Sequence, residues 1–252
     1  MTRRLLATVL VAVAACRQIA GLDDRATIDA LEPDAGGPDD AGTTAPSFCA
    51  TAGAGFCDDF EGADQRWTLD LTTDAGDHGE VVVGEDGRDS AHALRARTVD
   101  NPIGSFRNTR ITRSFDSSAQ RVELSYAIFV PSPSFPEDIG EYQLSLLGVP
   151  GTFFYPILAR DQLAFTWTTT DGTYIVEPSK LPFAYGVWHT FALTIDLSAH
   201  TVRATIDDAE AVSGSYEPSG NAGEYKVAIG LRTQAKTAPL LVRYDDVTVR
   251  FR

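Results

Sequence analysis

The sequence predicts an all-β domain, an antiparallel two-sheet jelly roll, behind a short apolar N-terminus and an acidic linker. Three observations carry this. After residue 48, apolar side chains recur at every second position in run after run, the period of a half-buried strand. Clusters of Gly, Pro, Asn and Asp separate the runs, as turns do. No stretch there sustains a helical stripe over three turns, and many strands at turn-rich spacing read as two stacked antiparallel sheets.

Composition sets outer bounds. The chain has 252 residues, with Lys plus Arg 21 against Asp plus Glu 35, a formal net charge of −14. Hydrophobic residues at 43% and charged residues at 22% are ordinary for a folded protein. The acidic excess argues against nucleic acid as a partner, because phosphates need a basic stripe. No run reaches the roughly 18–20 apolar residues of a membrane-spanning helix.

The first segment, residues 1–15, reads as an address. Arg3 and Arg4 precede an apolar stretch from Leu5 to Ala15, the pattern of a secretory signal and too short for a permanent span. It ends in Val13-Ala14-Ala15-Cys16, which resembles the bacterial lipobox. The resemblance implies that Cys16 receives a diacylglycerol and becomes the new N-terminus. An ordinary signal peptide that happens to contain a Cys is the alternative. The residue after Cys16 is Arg17, not the Asp that retains enteric lipoproteins at the inner membrane. The resemblance therefore implies the outer membrane of a Gram-negative bacterium, with the lipid as the membrane partner. Stable anchoring takes more than one acyl chain, at about 0.8 kcal/mol per buried methylene.

Residues 16–48 read as a tether. Pro33-Asp34-Ala35-Gly36-Gly37-Pro38-Asp39-Asp40 lies at its centre, aromatics are absent until Phe48, and acids outnumber Arg17 and Arg25. Like charges and few apolar side chains leave nothing from which to build a core. A coil of this length spans roughly 30 Å, a spacer between lipid and domain. The domain is then 49–252. It opens with Cys49 and Cys57, close in sequence in a Gly/Ala-rich stretch. In an oxidising envelope a disulfide closing that loop is the expected state, with two free thiols as the alternative.

The strands follow in order. Val122, Leu124, Tyr126, Ile128 and Val130 alternate with Arg121, Glu123, Ser125, Ala127 and Phe129. The same period runs through Leu163, Phe165 and Trp167; His189, Phe191, Leu193, Ile195 and Leu197; Tyr225, Val227, Ile229 and Leu231; and, at the end, Arg243, Asp245, Val247, Val249 and Phe251. Thr201–Ile206 and Ala209–Val212 flank Asp207-Asp208, a hairpin with a tight acidic turn.

Four motifs stand in a particular order: Phe56-Cys-Asp-Asp-Phe-Glu61, Ser90-Ala-His-Ala-Leu-Arg95, Gly186-Val-Trp-His-Thr-Phe-Ala-Leu-Thr-Ile195 leading into Val202–Asp208, and Arg243-Tyr-Asp-Asp-Val-Thr-Val249. The order resembles the concanavalin A-like lectin/glucanase superfamily, including laminin G-like domains, over residues 56–251. The resemblance implies two curved sheets, a concave face that often holds glycans, and a first strand meeting the last. It also implies a calcium ion joining those two strands, with Asp59, Glu61 and Asp246 as ligands; solvated turn acids are the alternative. Hard oxygens suit that ion. Asp245 is set aside as a ligand because strand alternation places it with Val247, Val249 and Phe251.

Catalysis finds little support. The glucanase Glu-x-Asp-x-x-Glu strand is absent; Glu137-Asp-Ile-Gly-Glu141 has the wrong spacing, and Pro136 and Gly140 break a strand there. No Gly-x-Ser-x-Gly or His-Glu-x-x-His occurs. His189 reads as a satisfied core histidine. Lyases of this fold use Tyr, His, Arg and Gln without a rigid motif, so a polysaccharide-degrading enzyme stays open as an alternative. So does a structural or adhesive protein-binding module. The leading expectation is non-catalytic carbohydrate recognition, which needs an aromatic platform beside polar groups. Tyr155, Trp167, Tyr174 and Tyr185 are the candidate platform, with Arg95, Arg97 and Arg121 as polar company. The competing reading places the aromatics in the core, and for Trp67, Trp167 and Trp188 it is the favoured one.

Overall fold

The computed structural model describes residues 48–252 apart from 63–65, 74–76, 78, 102–103, 105, 132–140, 160–161, 169–173, 219–223 and 234–236; for Thr168 and Tyr174 it describes the backbone alone. Residues 1–47, on which the expected signal, Cys16 and nearly all of the expected tether fall, lie outside the described residues.

Two antiparallel sheets make up the domain. The first sheet runs β13 (Ala209–Ser215), β12 (Thr201–Ile206), β11 (Trp188–Asp196), β6 (Arg121–Phe129), β15 (Leu241–Phe251), β4 (His92–Arg97) and β3 (Glu80–Glu85), with β1 (Phe56–Asp58) also paired to β15. The second runs β10 (Tyr174–Pro178), β9 (Gln162–Thr168), β8 (Thr152–Ala159), β7 (Glu141–Val149), β14 (Tyr225–Thr233), β5 (Arg107–Phe115) and β2 (Thr68–Asp70). One four-residue helix, α1 (Phe48–Thr51), precedes them. This is the expected all-β jelly-roll sandwich.

Alternation builds the core. Along β11 every second residue is buried, so Phe191, Leu193 and Ile195 face inward and Ala192, Thr194 and Asp196 outward. Val122, Leu124 and Ile128 join them from β6, and Leu147, Phe154, Phe165, Trp167 and Ile229 meet them from the second sheet. Two buried tyrosines tie the layers together. The Tyr126 hydroxyl lies 2.8 Å from Ser145 Oγ, and the Tyr244 hydroxyl donates to the Leu144 carbonyl at 2.7 Å. Burial pushes both phenols well above their ordinary range, so they serve as hydrogen-bonding groups and not as acids.

Turn chemistry fixes the hairpins. Asp207 and Asp208 both adopt positive φ, 50° and 64°, which a two-residue turn between twisted strands needs. Pro150-Gly151 joins β7 to β8 with Gly151 at φ 88°. Cys49 and Cys57 form the expected disulfide, with a Cα–Cα distance of 5.5 Å. Closing so short a loop contributes roughly 2–3 kcal/mol in the chain-entropy account.

Strand β15 departs from simple alternation, as β7 and β13 also do. A bulge interrupts β15 between Asp245 and Thr248, with Asp246 at φ 54°. It resets the phase. Asp245 pairs with Ala127, on the outward side, while Tyr244, Val247 and Val249 keep facing the core. The expectation that Asp245 shares a face with Val247 and Val249 is therefore corrected.

Candidate functional site

The outward face of the second sheet is the candidate site, and register defines it. Lys226 lies opposite Ser114 and Gly148, and Gly148 opposite Phe153, so Ser114, Lys226, Gly148 and Phe153 form one transverse row. Thr112, Ala228 and Leu146 form the next. Farther along, Asn108, Arg232, Gln143, Ile157 and Ala164 line up. Between these rows stand Arg110 opposite Gly230, and Tyr155 opposite Thr166.

This face is recessed. Thr112, Leu146, Ile157, Ala164, Thr166 and Ala228 point outward yet are buried. Gly230 takes φ 124°, and a Cβ there would stand 2.5 Å from the Thr109 carbonyl oxygen, so no side chain rises from that position. Against this floor Phe153 stands out at 51% exposure. Its Cδ1 and Cε1 atoms lie 3.1 Å from where a Cβ on Gly148 would be. The glycine is thus a shelf on which the ring rests, leaving half of it to solvent.

The charge on this face opposes that of the chain. Among the described residues its cations are Arg110, Lys226 and Arg232, and its acids Asp70 and, at the margin, Glu141. Arg110 Nε contacts Asp70 Oδ2 at 2.9 Å, and Asn108 Nδ2 donates to the same carboxylate. Burial alone would raise the Asp70 carboxyl. Hydrogen bonds from Thr72, Arg110 and Asn108 outweigh it and hold the group below its ordinary value. The Arg232 guanidinium stacks 4.6 Å over the Phe106 ring. Gln143 Oε1 and Thr166 Oγ1 are buried with no hydrogen-bond partner among the described residues, an arrangement that costs about 1–3 kcal/mol per group.

The expected site residues separate. Tyr155 sits on this face, half-buried opposite Thr166. Tyr174 lies on edge strand β10, opposite Thr168. Trp167 is 2% exposed and faces the core, so it belongs to the sandwich interior as the competing reading held. Tyr185 packs edge-on against Phe183 in the loop before β11. Arg95, Arg97 and Arg121 belong to the first sheet and do not accompany Tyr155. Phe153, Lys226 and Gln143 were missed. A signal for Phe153 existed: a two-residue Pro150-Gly151 turn places 148 opposite 153, and a glycine opposite an aromatic is a known cross-strand pairing.

The acids at the meeting of β1 and β15 form a second cluster. Asp245 Oδ2 accepts from the Arg88 backbone N–H and Ser90 Oγ, and Oδ1 from the Asp246 N–H. Glu61 is turned to His92, accepting its backbone N–H at 2.6 Å and facing Nδ1 at 3.1 Å. Asp59 Oδ2 accepts from the Cys49 N–H at 3.3 Å. Burial, then Asp245, and behind them Asp89 and Asp59 push Asp246 up to about 6 despite the nearby Arg88. Among the described residues no three His, Cys, Asp or Glu side chains are grouped to hold a metal ion. Protein donors already occupy Asp245 and Glu61.

Neither a protein-family model nor a curated protein matches the sequence. Solved structures do. An endo-β-1,4-glucuronan lyase from the fungus Trichoderma reesei superposes with a TM-score of 0.60 at 14% identity, over 79% of this chain and 96% of that one. The binding domain of Paraclostridial Mosquitocidal Protein 1 gives 0.50 at 18% identity, over 73% of this chain and 44% of that one. The receptor binding domain of botulinum neurotoxin type G gives 0.52 at 11% identity, over 79% and 48%. This chain thus covers less than half of each toxin domain. At such identities the likeness shows the fold alone, an antiparallel two-sheet jelly-roll β-sandwich.

Proposed function

We propose that this protein is a lipid-anchored carbohydrate-binding protein of the cell envelope, and that its glycan lies across the outward face of the second sheet. The observation that carries the reading is Phe153. A half-exposed ring resting on Gly148, with Lys226 beside it, has the form of a sugar-stacking platform. Pyranose faces stack on rings while hydroxyls seek polar groups, and Gln143 and Thr166 hold hydrogen-bonding atoms that no described residue satisfies. The excess of cations on this face suits sugars that carry carboxylates. Titration of the full-length protein on a glycan array tests the reading: Phe153→Ala should weaken binding about tenfold or more with the melting temperature unchanged. An array that stays blank for the native protein would favour the protein-binding module instead.

A degradative reading has one observation in its favour. The phenol of Tyr155 shares the face with Arg110, Gln143 and Lys226, groups able to hold an acidic sugar and move a proton. Incubating a uronate polymer with the protein and following ultraviolet absorbance of an unsaturated product decides between binder and lyase.

Anchoring through Cys16 rests on the Val13-Ala14-Ala15-Cys16 motif. Cys16→Ala should move the protein from the membrane fraction to the soluble one. Unchanged partitioning would remove the anchor from this reading.

A further inference from the structure

The opposite side of the sandwich carries an arrangement that the glycan face does not explain. On the outward side of the first sheet, the registers set Val82, Arg95, Arg243, Phe129 and Trp188 in one transverse row, each directly opposite the next. Two arginines therefore stand side by side on neighbouring strands. Like charges directly opposite one another are destabilising. The pair has one carboxylate among the described residues: Asp86, 3.1 Å from Arg243 Nη2. The Nε atoms of both arginines are buried with no hydrogen-bond partner among the described residues.

The row is shaped as well as charged. The Arg95 side chain lies flat over Gly84, where a Cβ would stand 2.5 Å from its Cδ and 3.3 Å from Nη1. Arg243 stacks over Phe129 at 5.1 Å, and Phe129 meets Trp188 with ring centroids 5.5 Å apart. Both rings are half-buried, and Val187 beside them is 47% exposed. In a chain of net charge −14, acids to neutralise Arg95 are plentiful elsewhere, yet no hydrogen bond or ion pair of its guanidinium is found among the described residues.

We propose that this row is a second ligand site, which takes a carboxylated or sulfated sugar: the oxyanion bridges Arg95 and Arg243, and the ring lies on Phe129 and Trp188. Planar guanidinium groups match the oxyanions of both substituents, and an aromatic shelf beside them selects an anion borne on a ring over a free one. The site is independent of the Phe153 platform, since the two lie on different sheets. If both hold, one molecule engages glycan on two faces and can bridge strands, with the gain in avidity that bivalency gives.

Trp188 gives a local readout. The full-length protein is titrated with a uronate tetrasaccharide, a sulfated tetrasaccharide, a neutral glucan tetrasaccharide and inorganic sulfate, following the tryptophan fluorescence that Trp188→Phe abolishes. The expected result is a saturable change with one or both acidic sugars and none with the neutral sugar. Arg95→Gln should weaken it about tenfold or more, leaving the melting temperature level or slightly higher because a like-charge neighbour of Arg243 is gone. Phe153→Ala should leave it in place, which separates this site from the glycan face. An unchanged response in Arg95→Gln, or an equal response to the neutral sugar, would overturn the site. An equal response to inorganic sulfate would overturn its assignment to a sugar.

Discussion

His189 shows how one residue in a motif is claimed by structure. Its Nδ1 lies 2.7 Å from Asp207 Oδ2 and its Nε2 2.9 Å from the Ala184 carbonyl oxygen. Both neighbours are acceptors, so both ring nitrogens are satisfied together only when both carry protons. The residue is buried, and protein acceptors engage both of its ring nitrogens. Asp207 also accepts the Thr190 N–H, at 2.8 Å. Burial works to raise the Asp207 carboxyl, but the bonds from His189 and Thr190 prevail and lower it. The sign follows. A carboxyl with a depressed folded pKa stabilises the fold above its unfolded value of 3.8 and loses that contribution as pH falls below it. Asp207→Asn should therefore lower the melting temperature at about pH 6 by roughly 2–4 °C, equivalent to about 1 kcal/mol for a half-exposed pair. The difference should close near pH 3. A melting series across that range reads both halves of the expectation.

At the scale of elements, the β7–β8 hairpin positions the candidate site. Pro150-Gly151 fixes the register, the register sets Gly148 opposite Phe153, and the glycine gives the ring its shelf. Gly148→Val should tilt the ring off the sheet and reduce glycan binding about as much as Phe153→Ala does, with the far-ultraviolet circular dichroism unchanged. If Gly148→Val binds normally, the ring's pose is not what matters. The sequence shows the elements more readily than their faces. Strands β9 and β14 follow from alternation because their inward residues are apolar and their outward ones polar or small; β6 and β11 follow it too, although Phe129 and Trp188 stand on the outward side and His189 in the buried set. β5 does not: inward Arg113 stacks on Phe56 at 4.6 Å, and outward Asn108 and Thr112 are buried in the recess, so neither face is uniform. β7 and β15 carry bulges, and a single extra residue inverts every later inference about direction. Alternation with Leu163 and Phe165 already favours Trp167 as a core residue, and it is buried; that Phe153 points outward is shown only by register.

The molecule as a whole is closed at one corner. β1 lies along β15, with Phe56 opposite Val249 and Cys57 opposite Thr248. The disulfide ties Cys57 to Cys49, whose N–H binds Asp59. The start and end of the domain therefore meet beside Asp246, where acids are crowded. Asp246 has its folded pKa raised from 3.8 to about 6. Stability from this group is present below 3.8, where it is protonated in both states, and is lost as pH climbs through about 6. In metal-free protein above that pH, Asp246→Asn should be the more stable by about 1 kcal/mol, the raw shift being discounted because the side chain is half-exposed. A calcium ion bound at this corner, with Asp59, Glu61 and Asp246 as the ligands we propose for it, would reverse the order. It would relieve the repulsion and stabilise native protein by about 2.7 kcal/mol at a hundredfold excess over Kd, several degrees for a domain of this size. Glu61 would have to turn from His92 to reach it. Melting curves of both proteins in EDTA and in calcium therefore separate the two accounts by sign. If calcium raises the wild type alone, the ion clasps first strand to last. If it raises neither and Asp246→Asn stays ahead, the corner is a carboxyl cluster whose strain the disulfide and the β1–β15 ladder hold in place.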